Sequence, residues 1–548
     1  MDNIEGNAAA SKKAVRWSQS LCAGEEEYVR QRKQVVLKKL SSLGINATEG
    51  LVPHIALLPS GGGQRAAVGL VGSLYQMEKE GLLDTLLYLG GVSGSTWSMS
   101  SLYSDPQWSN HKLDGAVARL SGPGVEVGLA LGWLDERSKE EHFSLTDVWG
   151  VLTSAGIMKQ MDLRRLSDEA SRNASNPYPI YCAVEKHHLA NGPIEGKWFE
   201  VSPHEAGFPE LGAFVETSLL GSRFQGGELL EQKPEMDMVQ LQDVFGSALA
   251  DKDTIGDFIP SWLTNNAAEY LNVYNALQKL VAMTRSTIQG PAAFSDLDKL
   301  QKILLEDKVN HNESAWRQSR SAEERSGLSK QWSLELLTAV ETWSQNLEDI
   351  DVSHLIQKVL PLILKWEWGT TANFLYQHQD DTVPPYLRLE ETFHLIDAGL
   401  MVNTAYPSFL GDKRDIDLII APDFSSGSMF RTLTLARDYA AAVKKPFPEI
   451  NETILEDRDW PKDCYVFEGK GKEPTIVYMP LFNRNNCKDA DEVKARREEF
   501  STFQHPYNQE KIEVLLEIAK ANVKNNKETL LREINKTVKR HASKDETQ

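Results

Sequence analysis

The sequence predicts an α/β fold: a mainly parallel central sheet flanked by helices, with a helical cap insertion. Three observations predict it. Strand and helix signals alternate from about residue 50 onward, and two of the strand-to-helix junctions are built from small residues. Between about 225 and 365 the alternation gives way to helices rich in charge and tryptophan. At 548 residues, 41% hydrophobic and 25% charged, the chain is long enough for a large core and has the composition of a globular protein.

Residues 1–22 are polar and small and read as a loose N-terminal arm; 23–548 read as one catalytic-type domain carrying the insertion at about 225–365. The charged stretch Glu25 to Leu43 reads as a helix, with Gly44 as its stop signal. Its basic residues Arg30, Arg32, Lys33, Lys38 and Lys39 read as a solvated face. Then come strand 54–58, helix 66–80, strand 85–92 and helix 94–103. Later strands are expected at 179–184, 197–201, 394–396 and 416–421. A hairpin joins Tyr465-Val466-Phe467 to Thr475-Ile476-Val477-Tyr478 through Gly469 and Gly471. Near the C-terminus Ile512, Leu516, Ala519, Val523, Leu530 and Ile534 form one helical stripe, which calls for packing against the domain. The polar tract Glu306 to Arg320 reads as a surface excursion of the insertion, placed to serve as a lid.

The formal charge of −19 excludes a nucleic-acid partner as the natural reading, because such binding depends on a surplus of Lys and Arg over phosphate. Four cysteines at no metal-like spacing point to a reducing compartment, and no metal site is expected. No secretory leader, lipid-anchor motif or apolar run of the ~20 residues needed to span a bilayer is evident, so a cytoplasmic location without a transmembrane segment is expected.

The chemistry is concentrated in two turns. Leu86-Leu87-Tyr88-Leu89-Gly90 runs into Gly91-Val92-Ser93-Gly94-Ser95, the pattern of a nucleophile elbow, in which small neighbours let a serine hydroxyl stand clear of the backbone. Such a pattern also makes ordinary Ser/Gly turns. Thirty residues upstream, His54-Ile55-Ala56-Leu57-Leu58 runs into Ser60-Gly61-Gly62-Gly63-Gln64-Arg65, where glycines free backbone N–H groups at the start of a helix. On neighbouring parallel strands the two turns would bring a nucleophile and oxyanion donors to the same sheet edge. A nucleotide-binding loop fits less well, since no Lys-Ser/Thr follows the glycines and no G-x-G-x-x-G spacing is present. The serine needs a base. Twelve histidines are available, but Asp397, at the end of His394-Leu395-Ile396 and before Ala398-Gly399, is placed to reach that edge; His394 should point the other way. Asp397 as a simple turn cap is the competing reading.

Taken together, Ser60–Arg65, Gly91-Val92-Ser93-Gly94-Ser95-Thr96-Trp97 and Asp397-Ala398-Gly399 resemble the catalytic region of the cytosolic (group IV) phospholipase A2 family, relatives of the patatin-like lipid acyl hydrolases. The resemblance covers most of the chain and extends to Asn176–Ile180, Ala206–Phe208, Trp366–Thr371 and Asp423–Ser425, and it is nearest to the gamma-type branch. It implies a patatin-like catalytic fold and a phospholipase A2-type serine esterase acting on fatty acyl esters of glycerophospholipids through an acyl-enzyme. Ser93 would be the nucleophile and Asp397 its partner in a Ser-Asp dyad without histidine. Gly62 and Gly63 would supply oxyanion N–H groups, and Arg65 would face substrate phosphate, although an ion pair is its alternative role. No catalytic role is given to Asp423.

Fewer than sixty residues precede the glycine loop, too few for the β-sandwich that recruits many relatives with calcium, since a domain needs roughly 100 residues. Calcium independence and no cofactor are therefore expected, with transient peripheral contact with a phospholipid surface. Lysophospholipase or transacylase activity uses the same residues, and a catalytically inactive lipid-binding module is the reading from another class.

Overall fold

The computed structural model describes residues 15–247, 268–311, 316, 318, 321–502 and 506–545. A 12-stranded sheet organises them. Its strands are β1 (Arg16–Trp17), β2 (Ile55–Leu57), β3 (Tyr88–Gly91), β4 (Tyr178–Glu185), β5 (Trp198–Val201), β6 (Glu205–Phe208) and β7 (Ala213–Glu216) from the first half of the chain. After the small hairpin β8 (Arg223–Gln225) and β9 (Glu228–Glu231), the second half adds β10 (Thr370–Ala372), β11 (Thr392–Asp397), β12 (Leu418–Asp423), β13 (Tyr465–Phe467) and β14 (Thr475–Pro480).

The parallel part is confined to five neighbouring strands in the order β14-β12-β2-β3-β4. Every other pairing in the sheet is antiparallel, so the sheet is mixed. The reason lies in the connections. β2, β3 and β4 are joined by helical crossovers, which return the chain in the same direction, whereas β5 to β7 follow one another through short turns that reverse it, and the β4–β5 link, with the short helix Lys186–Asn191, reverses it too. The parallel strands are buried on both faces and carry near-continuous apolar runs such as Ile55-Ala56-Leu57 and Leu418-Ile419-Ile420.

Two helices frame the serine turn, α2 (Gly63–Lys79) and α3 (Gly94–Tyr103), while α1 (Ala23–Ser42) packs against β4. Helix α2 is buried along most of its length. Its Gly69 faces the Phe424 ring and its Gly72 the backbone of Leu516, so the helix Gln509–Asn525 packs closely where larger side chains would hold it off. That contact uses the first part of the C-terminal stripe, with Ile512, Leu516, Ala519 and Val523 all buried; the expected single stripe is split at Asn526, and Leu530 and Ile534 are buried on a second helix, Lys527–Asp545.

The expected loose arm divides in two. Residues 1–14 lie outside the described residues, whereas Arg16 and Trp17 pair with Phe214 and Ala213 of β7, and Arg16 forms a 2.6 Å ion pair with Glu205. Beyond the arm, α1 is tied into the core by a buried charge network: Arg414 donates to Glu25 (2.8 Å) and to Glu200 (2.9 Å), and the Tyr88 hydroxyl donates to Glu25 (2.9 Å). Arg32 also departs from the solvated face expected for it. It is fully buried and donates to the Leu86 carbonyl at 2.9 Å.

Between 268 and 365 the chain forms the helices Ala268–Thr287, Pro291–Asn310, Ala322–Ser344 and Ile350–Lys365. The polar tract around residue 313 falls partly outside the described residues. Among the described residues, no helix is long and apolar enough to cross a membrane.

Candidate active site

Strand β4 offers two edges, and its pairing explains how the two halves of the site meet. β5 takes one edge, opposite Tyr181 to Val184. Along the other, β3 runs parallel from Tyr178 to Tyr181 and then turns away at the elbow; β11 arrives from the opposite direction, with Asp397 opposite Ala183. Two strands thus run toward each other along one edge, and the residues at their tips face each other. Ser93 Oγ donates to Asp397 Oδ2 at 2.6 Å.

The elbow is strained. Ser93 has φ 53° and ψ −131°, a conformation that costs a non-glycine residue about 1–3 kcal/mol. Ser95 braces it: its hydroxyl accepts from Val92 N–H at 2.9 Å and donates to the Val92 carbonyl at 2.7 Å. A glycine at 95 would leave that turn unbraced. Asp397 is 1% exposed and accepts a second bond, from Gly399 N–H at 2.7 Å. Burial outweighs both donors and pushes its carboxyl up to about 7. No histidine bonds to Ser93 or Asp397 among the described residues, and His394 sits opposite Thr370 on β10, with its backbone N–H on Glu185.

Gly62 and Gly63 lie at φ 148° and 57°, where only glycine is unstrained, and they open α2. Among the described residues neither N–H has a backbone acceptor, as befits the first turn of a helix. Gly63 lines the same cavity as Ser93. The loop is held from three sides. The Ser60 hydroxyl accepts from Phe424 N–H at 2.6 Å, Gly61 N–H donates to the Asn403 carbonyl at 3.0 Å, and Asn403 Nδ2 reaches the Gly61 carbonyl (3.2 Å) and Ser425 Oγ (2.9 Å).

Arg65 supplies the third support. It is 2% exposed; its Nε donates to the Phe424 carbonyl and its Nη1 to the Phe500 carbonyl, each at 2.6 Å. Its Nη2 is buried without a hydrogen-bond partner and lies beside Gly62. Burial lowers the guanidinium to about 10, so it stays charged at neutral pH. The competing reading, an ion pair with a carboxylate, finds no partner among the described residues; carbonyl oxygens take its place. Asp423 accepts from Ser425 N–H (2.9 Å) and from the Tyr478 hydroxyl, which steadies the end of β12 beneath Ser425.

The cavity at Ser93 is about 50 Å³ and is lined by Gly63, Trp97, Trp149, Asp243, Lys279 and Met283 among others. Ligand pockets usually measure about 300–1,000 Å³, so an acyl chain does not fit this closed form. The last two residues come from the helix Ala268–Thr287, which lies over the serine. A larger cavity of about 530 Å³, near Arg165, Asp237 and Thr370, contains neither Ser93 nor Asp397.

Sequence reasoning missed Asn403 and Asp243. Asn403 follows Asp397 by six residues in an otherwise apolar run, a signal that was available. Asp243 sits on an amphipathic helix where any aspartate reads as solvated, and only the packing reveals it as buried.

A mixed α/β sheet with a bent serine turn beside a glycine loop defines an acyl-hydrolase-type fold. Comparison with known proteins agrees. The family profile described as "Lysophospholipase catalytic domain" matches residues 55–116 and 135–302. Cytosolic phospholipase A2 gamma from Mus musculus is 31% identical over 93% of this chain and 90% of its own, and the protein of that name from Homo sapiens 32% identical over 93% and 94%. The solved structure "Human GIVD cytosolic phospholipase A2" shares the fold, with a TM-score of 0.66 at 24% identity, covering 97% of this chain and 67% of that one. The chain belongs to the cytosolic phospholipase A2 family and is a hydrolase of the phospholipase class.

Proposed function

We propose that the protein hydrolyses fatty acyl esters of glycerophospholipids through a Ser93–Asp397 dyad. The observation that carries the reading is the 2.6 Å hydrogen bond from a strained elbow serine to a buried carboxyl, with no histidine attached to either among the described residues. Ser93 Oγ attacks the ester carbonyl as its proton passes to Asp397. The Gly62 and Gly63 N–H groups receive the developing oxyanion, assisted by the start of α2. Asp397 returns the proton to the departing alcohol, leaving an acyl-enzyme. Water then attacks, gives a proton to Asp397 and releases the fatty acid as the proton goes back to Ser93.

Arg65 Nη2, the one guanidinium nitrogen not committed to a carbonyl, is the group proposed to meet substrate phosphate, while Nε and Nη1 hold the loop. The helices between 268 and 365 act in this reading as a cap, and the helix carrying Lys279 and Met283 must shift before an acyl chain enters. Substrate is met at a membrane surface by transient peripheral contact. An acyl-enzyme that accepts a lysophospholipid or an alcohol instead of water gives transacylase activity with the same residues. Labelled lysophospholipid supplied alone separates the two outcomes, since transfer yields diacyl lipid besides free fatty acid.

The deciding experiment is covalent labelling with a fluorophosphonate probe. Labelling of Ser93, abolished in Ser93→Ala and strongly reduced in Asp397→Ala, is the expected result. Folded protein that opens to the probe and stays unlabelled would instead favour an inactive lipid-binding module.

A further inference from the structure

The dyad mechanism leaves two polar groups of its own cavity unused. Asp243, on the helix Met238–Gly246, is 2% exposed, lines the cavity with Ser93, and its Oδ2 has no hydrogen-bond partner. Trp149, on the helix Leu145–Thr153, is 6% exposed, lines the same cavity, and its Nε1–H has no acceptor. The two helices touch where these residues sit: a Cβ added to Gly150, next to Trp149, would come within 2.9 Å of Asp243 Cβ. Asp147 on the first helix is already paired with Arg137 at 2.8 Å, so it does not serve Asp243. Lys279, which lines the same cavity, forms no ion pair with Asp243 among the described residues.

Buried polar groups without partners are uncommon, and each calls for an explanation. Here the pair includes one donor that cannot accept and one carboxyl oxygen. Ester and ether oxygens only accept, so they suit the indole, and they suit Asp243 only in the protonated form that its burial favours. A hydroxyl both donates and accepts, and it suits Asp243 whether that carboxyl is ionised or protonated. It is also small enough for a cavity of about 50 Å³.

We propose that Asp243, with Trp149, is a specificity-determining site that reads a free hydroxyl on the carbon next to the scissile ester. The inference rests on the phospholipase reading above and deepens it by assigning residues to substrate choice. Sites built to hydrogen-bond a substrate hydroxyl reject the analogue lacking it far more strongly than apolar pockets reject a methylene, because their buried groups are then left unpaired.

The test compares 1-palmitoyl-2-hydroxy-glycerophosphocholine with its 2-deoxy analogue, presented in the same mixed micelles. The native enzyme is expected to favour the hydroxyl-bearing substrate by about ten- to a hundredfold in kcat/KM, the lower part of the range open to such sites. That ratio should fall to less than about threefold in Asp243→Ala, decline in Trp149→Phe, and be partly kept in Asp243→Asn, whose amide still donates and accepts. A native ratio near one would overturn the proposal without any variant, since the two groups would then be satisfied by water rather than substrate. An unchanged ratio in folded Asp243→Ala would overturn it as well. If native protein cleaves neither substrate and takes no fluorophosphonate, the phospholipase reading fails instead, and this one with it.

Discussion

Gly94 and Gly63 meet backbone to backbone: a Cβ placed on Gly94 would lie 1.9 Å from the Gly63 carbonyl oxygen. The turn that carries Ser93 and the loop proposed to hold the oxyanion therefore touch without any side chain between them. Neither can move without the other. Gly94→Ala is expected to push the glycine loop away from Ser93, with a loss in kcat of about 10²–10³, as when an oxyanion donor is removed, and about 1–3 kcal/mol of overpacking. Steady-state kinetics alongside thermal unfolding checks this; an alanine variant with native kcat would show that the loop is not where the oxyanion is held.

The pH dependence follows from Asp397, whose carboxyl burial raises to about 7. The proposed dyad needs the base form, so kcat/KM should rise with pH and level off above about 7. Stability should run the other way. An unfolded aspartate ionises near 3.9, whereas the folded protein holds this proton to about 7, so the group's contribution is full below about pH 4 and is lost as pH rises to 7. Above 7 the buried charge costs at most about 4 kcal/mol. Asp397→Asn should be inactive yet melt a few degrees higher than the native protein at pH 8, with the difference vanishing near pH 4. Calorimetry at the two pH values decides it.

Arg65 has two jobs in this reading, and they separate experimentally. Charge-assisted hydrogen bonds contribute about 1.5–3 kcal/mol each, so Arg65→Ala should lower stability through the Phe424 and Phe500 carbonyls. It should also lower specificity toward phospholipid by about ten- to a hundredfold, and toward a small uncharged ester by much less. Lysine should rescue only in part, because it lacks the fork. Equal losses on both esters would remove phosphate from its role and leave loop support alone.

Closure over Ser93 predicts a dependence on probe size. In a cavity of about 50 Å³ a small fluorophosphonate should label Ser93 in plain buffer faster than one with a long acyl chain. Phospholipid vesicles should accelerate the long-chain probe by roughly tenfold or more, as lid opening on a surface would require. Labelling rates that ignore both chain length and vesicles would show that the helix Ala268–Thr287 does not obstruct the site.

Much of this was legible in the sequence because it is local. Glycine and serine clusters announced both turns, and the helix Gly94–Tyr103 follows the elbow where expected. Asp397 was legible from its place at a strand end. What could not be read was direction and depth. Nothing in His394-Leu395-Ile396-Asp397 says that its strand runs antiparallel to β4 and meets β3 head-on. Likewise Arg65 and Arg32 carry charges that composition assigns to water, and it takes the carbonyls waiting for them inside the fold, with Asp84 beside Arg32, to make their burial tolerable. Asp243 was invisible for the same reason.

The head-on meeting of β3 and β11 also sets a schedule. Ser93 and Asp397 are 304 positions apart, and the glycine loop is braced by carbonyls at Phe424 and Phe500. A ribosome that has released the serine, its loop and the described helices between 268 and 365 has not yet released Asp397 or the brace. In the dyad reading the nascent chain therefore carries its nucleophile unarmed until Asp397 has been made, and the loop stays unlocked until synthesis has passed Phe500.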